Sequence, residues 1–588
     1  VFDPAGPFVL LDDASTKAAP GQLYARATAI VTAQTLDEIG PALGEVERLR
    51  RAGHHVAGYL AYEAGFAFEP RTGGRTQALA GGRPLLWFGA FTKPQEVDTA
   101  ALLAEVAAGP ASVHTVRPMI GRDDYLATVD RAKAFIAAGD VYQINLTFGA
   151  NVEFDGHPLA LYARLRRAQR MAFGAVIHTG TDWLLSASPE LFFKIDGRRI
   201  DCRPMKGTAP RGARLADDEA ARSALAADAK NRAENLMITD LLRNDLSRIS
   251  RAGSVRVRDA FAVETYPTLF QMTTSVEAEL SSNVGPIDAL RALFPCGSIT
   301  GAPKVRAMQI IGELEAQPRG VYTGAIGYAA ADGTAAFSVA IRTLDVERQG
   351  HGRIGAGSGI VADSEAAAEW QECMQKMAFL KEAGQRFHLI ETMRFSPDEA
   401  IPLLPFHLAR LKASARRFGF ALDVHQARNL LQAAVGGLKE ARRVKLTVDE
   451  NGGMAVTCTS LPETNGTVRV RLVPLPVRAD DIRLYHKTSD RAFYDAAREA
   501  SGADECVFVR SDGRITEGSR TNVFVRQGDM LLTPPVEDGL LGGVLRQSLV
   551  ESGRAETRSL TSADLAGGFF LGNAVRNLIP ARLVEPAD

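Results

Sequence analysis

The sequence predicts two successive units of mixed α/β and α+β class, and three observations carry that expectation. Its 588 residues leave room for several structural units at ~150 residues each. Strand-like runs alternate with runs of helical spacing along the chain, with no internal repeat and no low-complexity tract. A helical pattern over about Ser364–Ala383 breaks at Gly384-Gln385-Arg386, and the strand-like Phe387-His388-Leu389-Ile390-Glu391-Thr392-Met393 follows. The expected division is residues 1–385 and 386–588.

Composition narrows the function classes. Hydrophobic residues at 46%, charged residues at 23% and a net charge of −1 give no electrostatic case for nucleic acid or a membrane surface. No run approaches the ~18 apolar residues of a membrane span, and no basic segment followed by a hydrophobic one opens the chain. The start at Val1 fits a processed or trimmed end. Five scattered cysteines (Cys202, Cys296, Cys373, Cys458, Cys506), odd in number and without a C-x-x-C pair, point to reduced thiols in a cytoplasmic compartment.

In the first unit, the apolar run Trp183-Leu184-Leu185 leads to Ser186-Ala187-Ser188-Pro189-Glu190. A second strand-like run, Arg199–Cys202, leads to a tight turn at Pro204-Met205-Lys206-Gly207-Thr208. Side by side, these strands would set a nucleophile, Lys206, against a general acid, Glu190. A solvated loop lysine at its ordinary pKa of ~10.4 would instead be protonated and idle. Residues 229–245 read as a helix with Ala233, Leu236, Met237 and Leu241 as its apolar stripe, and Glu234 leaves that stripe. Ser298–Lys304 reads as a loop entering a helix with Pro303 in the first turn, where free N–H groups suit an anion. Gly355-Ala356-Gly357-Ser358-Gly359 allows close backbone approach but lacks the strand-turn-helix context of a dinucleotide site. On the last helix, Glu369, Glu372 and Lys376 share one side, and Trp370, Met374 and Met377 lie ~120° away. A surface ion-pair row gives the same pattern.

In the second unit, Leu403–Leu411 places His407 and Arg410 on a helix, Tyr485–Arg491 contains Lys487, and Ile515–Phe524 contains Glu517. Gly539–Arg546 and Gly572-Asn573-Ala574 follow. Singly, each reads as a packing helix or a turn.

Taken in order, the motifs over about residues 120–380 resemble the chorismate-utilising enzymes, with residues 1–120 as their variable leading part. The Pro-x-Lys-Gly-Thr form resembles component I of the 4-amino-4-deoxychorismate synthases, whereas anthranilate synthases usually carry alanine in place of that lysine. The resemblance implies a β-sandwich with outer helices in which Lys206 attacks C2 of chorismate. Glu190 protonates the departing C4 hydroxyl, and ammonia enters at C4 and expels the lysine. It implies Mg²⁺ held by Glu234 and Glu372, with Glu369 as a direct or supporting ligand and Lys376 balancing the charge. Thr300, Gly301, Gly357, Tyr322 and Arg342 would surround the substrate carboxylates. Gln143 stands where water-adding relatives carry a lysine base, which favours ammonia. The chain shows no G-x-C-x-G nucleophile turn, so ammonia is expected from a separate glutamine amidotransferase subunit.

The second set resembles the fold-type IV pyridoxal-phosphate enzymes, a two-subdomain α/β fold, and among them the 4-amino-4-deoxychorismate lyases. That resemblance gives Lys487 the cofactor aldehyde and Glu517 the pyridine nitrogen. Arg410 and the backbone at Val544, Leu545, Asn573 and Ala574 would hold the phosphate. Loss of the C4 proton to Lys487 and loss of pyruvate would then yield 4-aminobenzoate, a folate precursor. Two alternatives stay open: an amino-acid transaminase in place of the lyase, and one unit acting as a catalytically silent scaffold or sensor. His388, His407 and His486 read as structural, Thr392 as a minor cofactor neighbour. The sequence sets no oligomeric state.

Overall fold

A computed structural model describes residues 4–15, 20–72, 82–106, 109–169, 171–266, 269–348, 350–382, 387–462 and 466–584. The chain forms two units: Val1–Pro210 with Arg222–Gly384, and Gln385–Asp588 with the segment Arg211–Ala221.

The first unit is built on two ten-stranded sheets among the described residues. One runs Gly301–Ala302, Gln143–Asp155, His351–Ile360, Thr343–Arg348, Trp183–Ser188, Phe173–His178, Phe8–Asp12, Gly21–Ala25, Gln95–Val97, with Ser112–Pro118 also paired to Gln143–Asp155. The other runs Met205–Pro210, Leu269–Glu279, Arg199–Arg203, Leu191–Asp196, Ala335–Val339, Ala325–Ala329, His55–Leu60, Leu86–Phe91, Ala29–Ala33, with Arg256–Thr265 also on Leu269–Glu279. Side-chain alternation assigns each strand's residues to two layers. Phe8 and Leu10 join a core with the helices Arg122–Ala137, Pro158–Gln169, Lys304–Leu314 and Ala366–Glu382, while Val9 between them joins Tyr59, Trp87 and Ile326 between the sheets. Strands covered on both faces read as unbroken apolar runs, as Phe-Val-Leu-Leu does. Residues of the leading part thus complete both sheets.

The second unit has a three-stranded sheet, Leu389–Phe395, Arg442–Val448 and Met454–Ser460, packed by the helices Leu404–Phe418 and Val424–Val435. Its eight-stranded sheet runs Ile515–Gly518, Glu505–Val509, Val468–Pro474, Asn577–Leu583, Phe569–Asn573, Asn522–Gln527, Met530–Thr533, Ala555–Thr557. Among the described residues no helix is long and apolar enough to cross a membrane. All five cysteines are free, four of them buried.

Several local expectations need correction. Lys206 lies not in a turn but in the strand Met205–Pro210, at a register shift between Met205 and Thr208 where Gly207 takes φ +92°. That bulge, which needs glycine at positive φ, turns one residue out of the ladder. The strands Trp183–Ser188 and Arg199–Arg203 are not neighbours but belong to different sheets, and Glu190 sits where the chain crosses between them. The helix Ala229–Ser247 buries Asn235, Ile238, Thr239, Leu242 and Leu246, whereas Leu236 is exposed. Ser298–Lys304 is a short 3-10 turn followed by the two-residue strand Gly301–Ala302, and Pro303 caps the helix from outside rather than opening it. Thr300 and Gly301 therefore lie on a sheet edge. The last helix of this unit is described over Ala366–Glu382, and the expected end at Ala383 and break at Gly384-Gln385-Arg386 lie outside the described residues.

Candidate active sites

In the first unit the crossing after Trp183–Ser188 buries Glu190, and Ser298 Oγ donates to its Oε1 at 2.6 Å. Burial pushes this carboxyl up to about 7, against the pull of Ser298, Lys206 and the Met205 amide. Lys206 is half-buried, and desolvation lowers its pKa. Glu234, Glu190 and Glu372 oppose that shift, while Lys376 adds to it. The nucleophile's backbone is fixed by polar groups in the core: Asn235 Nδ2 donates to Lys206 O at 3.4 Å, and Thr274 Oγ1 donates to Asn235 Oδ1 at 2.5 Å. This explains why the helix buries Asn235 and Thr239, which an apolar stripe could not reveal.

The strand His351–Ile360 supplies the floor. Gly355, Gly357 and Gly359 share one face, spanning ~13 Å at ~3.3 Å per residue. A Cβ on Gly355 would meet the Tyr322 ring at 2.2 Å, and one on Gly359 would meet Gln143 Nε2 at 2.3 Å and Lys206 Nζ at 2.8 Å. Glycine here lets side chains and a flat ligand approach the backbone. Gln143 is buried and its Oε1 has no hydrogen-bond partner among the described residues. Lys376 Nζ donates to Gly357 O at 2.8 Å and pairs with Glu372 at 2.6 Å.

The expected metal ligands are less tightly gathered than the expected acid and nucleophile. Among the described residues no three His, Cys, Asp or Glu side chains form a metal-binding group. Glu234 is raised by burial, and Asp363 and Glu369 raise it further. Glu372 is turned to Lys376, four residues along its own helix, which outweighs partial burial and leaves its pKa low. Glu234 therefore faces repulsion from Asp363 and Glu369 that a divalent cation would relieve, and the all-oxygen donors of Glu234, Glu369 and Glu372 suit Mg²⁺.

The expected carboxylate-binding residues are only partly assembled. Thr300 Oγ1 is committed to the carbonyls of Cys296 and Gly297, and Gly301 takes φ +154° against Gln143 O. Arg342, at φ +50°, donates to Gln169 Oε1 at 3.1 Å and forms no ion pair among the described residues. Burial lowers its pKa. Sequence reasoning missed a buried network beside Tyr322. Arg319 donates to Glu315 at 2.7 Å, to Ile299 O at 2.9 Å and to Asn145 O at 2.7 Å, and its backbone N–H donates to Glu63 at 2.7 Å. Burial pushes Glu63 up to about 7. Charged residues flanked by loop sequence carry no periodic signal that would have marked this network.

In the second unit a cavity of about 490 Å³ lies between the two sheets and is lined by Lys487, Glu517, Arg410, Val544, Asn573 and Ala574 among others. Burial lowers the pKa of Lys487 to about 7, with Arg410 and Arg491 pushing the same way and Glu391 and Glu517 opposing. Glu517 is buried, accepts from Tyr494 Oη at 2.5 Å, and is raised by burial to about 7. Gly543 precedes the helix Val544–Glu551 without a side-chain cap, leaving the first-turn amides, Val544 and Leu545 included, to face an anion. A Cβ on Gly543 would meet Asn522 Oδ1 at 1.8 Å.

Arg410 is less free than expected, because it grips Glu391 at 2.9 and 2.6 Å and also donates to Gly542 O at 3.3 Å. Glu391 is fully buried, and burial tends to raise it, but Arg410 and His407 hold it down at about 2. His407 Nδ1 donates to the ionised Glu391 Oε2 at 2.6 Å, and its buried Nε2 has no partner among the described residues although the ring borders the cavity. The amide cradle, the orphaned imidazole nitrogen, a lysine near 7 and a buried acid fit pyridoxal phosphate. His486 bonds Ser414 Oγ at 2.9 Å and the Ala213 carbonyl at 2.9 Å, a structural role.

Residues 8–382, well over half the chain, match the family model for chorismate binding enzymes. The chain belongs to that family. Residues 388–584 match class IV aminotransferases, so this chorismate binding enzyme also carries a class IV aminotransferase domain, which implies pyridoxal phosphate. Aminodeoxychorismate synthase of Streptomyces griseus is 46% identical over 258 residues, covering 44% of this chain and 36% of that protein. Aminodeoxychorismate synthase component 1 of Klebsiella aerogenes is 43% identical over 277 residues, covering 47% and 61%. Anthranilate synthase component 1 of Streptomyces coelicolor is 41% identical over 259 residues, covering 44% and 50%. The chain spans less than two thirds of the length of these curated relatives. Anthranilate synthase component I from Streptococcus pneumoniae shares the fold, with a TM-score of 0.53 and 24% identity over 65% of this chain and 93% of that one.

Proposed function

We propose that this chain converts chorismate and ammonia to 4-amino-4-deoxychorismate in its first unit and releases pyruvate from that product in its second, giving 4-aminobenzoate for folate synthesis. The functional boundary is proposed at 385/386. One observation carries the reading: Lys206, desolvated and held at a bulge against Gly359, has beside it a buried carboxyl, Glu190, raised to about 7. Relatives named for aminodeoxychorismate and for anthranilate are similar at nearly equal identity, so overall likeness does not separate the two products. Lysine at 206, where the resembled anthranilate synthases usually have alanine, supports the aminodeoxychorismate reading.

The chemistry balances without an oxidant. Neutral Lys206 Nζ bonds to C2, both double bonds of the ring diene shift by one position, and the C4–O bond breaks as Glu190 delivers the proton that makes water. Ammonia then bonds to C4, both double bonds shift back, and the C2–Nζ bond breaks to release Lys206. Glu234, Glu369 and Glu372 would hold Mg²⁺, which supplies positive charge for a substrate carboxylate; Gly357, Gly301 and Thr300 place backbone near it, with Tyr322, Arg342 and Lys376 as further contacts. Buried thiols such as Cys296 and Cys506 are pushed up to about 12 by desolvation, the reverse of an activated nucleophile, which supports ammonia arriving from a separate glutaminase subunit. In the second unit Lys487 is positioned as base at the C4 proton, Glu517 as partner of the pyridine nitrogen, and Arg410 with the Val544, Leu545, Asn573 and Ala574 backbone as the phosphate end. Pyridoxal phosphate supplies an electron sink there when bound.

Intact-protein mass spectrometry tests the first step. With chorismate and Mg²⁺ but no ammonium, the chain should gain the mass of chorismate less one water, on Lys206. An unmodified chain that nevertheless aminates chorismate would contradict the covalent step.

A further inference from the structure

The cavity of the second unit has a floor whose charge the cofactor does not use. In the strand Arg442–Val448, Val444, Leu446 and Val448 are buried in the small sheet's core, so Arg443 and Lys445 project from the opposite face, which lines the cavity. Their cross-strand neighbours are Thr392 and Arg394 on one side and Thr457 and Thr459 on the other. Arg394 therefore stands opposite Arg443, and like charges directly opposite are destabilising. Arg443 Nε donates to Thr459 Oγ1 at 3.1 Å, a neutral partner. Neither Arg443 nor Lys445 forms an ion pair among the described residues.

Most of the other cations of the cavity have carboxylate partners. Arg483 pairs with Asp481 at 2.8 Å, Arg520 with Asp495 at 2.9 Å, and Arg491 lies 3.8 Å from Asp495. Arg576 follows Asn573 and Ala574, so its charge belongs to the proposed phosphate end. An unpaired, like-charged row facing a cavity is repulsive until an anion enters, and it lies on the small sheet, whereas Asn573 of the proposed phosphate cradle ends a strand of the eight-stranded sheet.

We propose that Arg443 and Lys445 form a carboxylate subsite, so that this cavity takes amines bearing a carboxylate remote from the reacting nitrogen, and the row selects a ring dicarboxylate over a simple amino acid. The inference rests on the pyridoxal-phosphate reading of the cavity and deepens it. Guanidinium and ammonium groups side by side offer a carboxylate charge-assisted hydrogen bonds to each oxygen.

The test uses the full chain loaded with pyridoxal phosphate and two readouts. Pyruvate release from aminodeoxychorismate gives KM and kcat. The cofactor's absorbance, titrated with chorismate, reports binding of a dicarboxylate that lacks the amine. For R443Q or K445Q we expect KM to rise about fivefold each, with a smaller change in kcat and the cofactor spectrum retained. Raising the salt should increase KM for the wild type more than for R443Q/K445Q. An unchanged KM in R443Q/K445Q, with normal wild-type turnover, would overturn the subsite. If the wild type releases no pyruvate but chorismate shifts its cofactor spectrum, and fails to do so in R443Q/K445Q, the lyase reading falls and the subsite stands. Absence of any chorismate effect in a wild type that releases no pyruvate overturns both.

Discussion

Lys206 stands among carboxylates, Glu234, Glu190 and Glu372, with Lys376 as a neighbouring cation, whereas Lys487 stands among Arg410 and Arg491 with Glu391 and Glu517 opposing. Burial lowers both lysines. At Lys487 the cations reinforce it, and the amine is available near pH 7. At Lys206 the carboxylates favour the ammonium, so on the proposed reading reactivity would depend on neutralising them, by protonating Glu190 and by a divalent cation held at Glu234, Glu369 and Glu372. One side chain is thus activated in two ways: a permanently prepared amine that suits a resident cofactor, and a conditional one that suits a nucleophile needed only when substrate and metal are present.

The sharpest way to break this comparison is to remove each lysine. Lys206→Ala should lower amination of chorismate on the order of 10⁴-fold, by analogy with loss of a catalytic nucleophile, while pyruvate release from supplied aminodeoxychorismate continues. Equal loss of both reactions would show that the division between units is wrong. Glu190→Gln should cost about 10²–10⁴-fold. In the wild type, amination should fall as pH rises through about 7, where Glu190 loses its proton, and the variant should lack that limb.

A smaller effect concerns stability. Lys487 has a folded pKa of about 7 against 10.5 when unexposed to the fold, so the unfolded chain binds the extra proton between those values. The stability that the neutral amine confers is present above that window and lost as pH falls through it. In cofactor-free protein, denaturant unfolding should show Lys487→Met gaining most over wild type below pH 7 and least above 10.5. A pH-independent difference would mean that burial does not depress this lysine. Smallest of all, Asn235→Ala should cost about 1–3 kcal/mol by leaving Thr274 and the Lys206 carbonyl without their partner. It should also slow amination without touching pyruvate release.

Much of this was legible before any coordinates, and the exceptions share a cause. Motif order singled out Lys206, Glu190, Lys487 and Glu517, and the structure brings Lys487 and Glu517 to one cavity and Glu190 within the electrostatic reach of Lys206. Periodicity misplaced the face of Ala229–Ser247, because Asn235 and Thr239 are buried for hydrogen bonding, and a polar side chain satisfied inside a core is indistinguishable by sequence from one in water. The bulge at Gly207 read as a turn, since both use a glycine at positive φ. Long-range partnerships such as Glu63 with Arg319, and the grip of Glu391 on Arg410, were not legible at all. They join separate segments of the chain, the first through a backbone N–H bonded to a carboxylate and the second through an ion pair, and neither has a spacing to recognise.

The central claim is that one chain makes 4-aminobenzoate. Purified protein should be given chorismate, ammonium, Mg²⁺ and pyridoxal phosphate, and the aromatic product identified by mass spectrometry against standards. The account predicts 4-aminobenzoate with one pyruvate for each, and aminodeoxychorismate accumulating when pyridoxal phosphate is withheld. Anthranilate or salicylate as the product would contradict it.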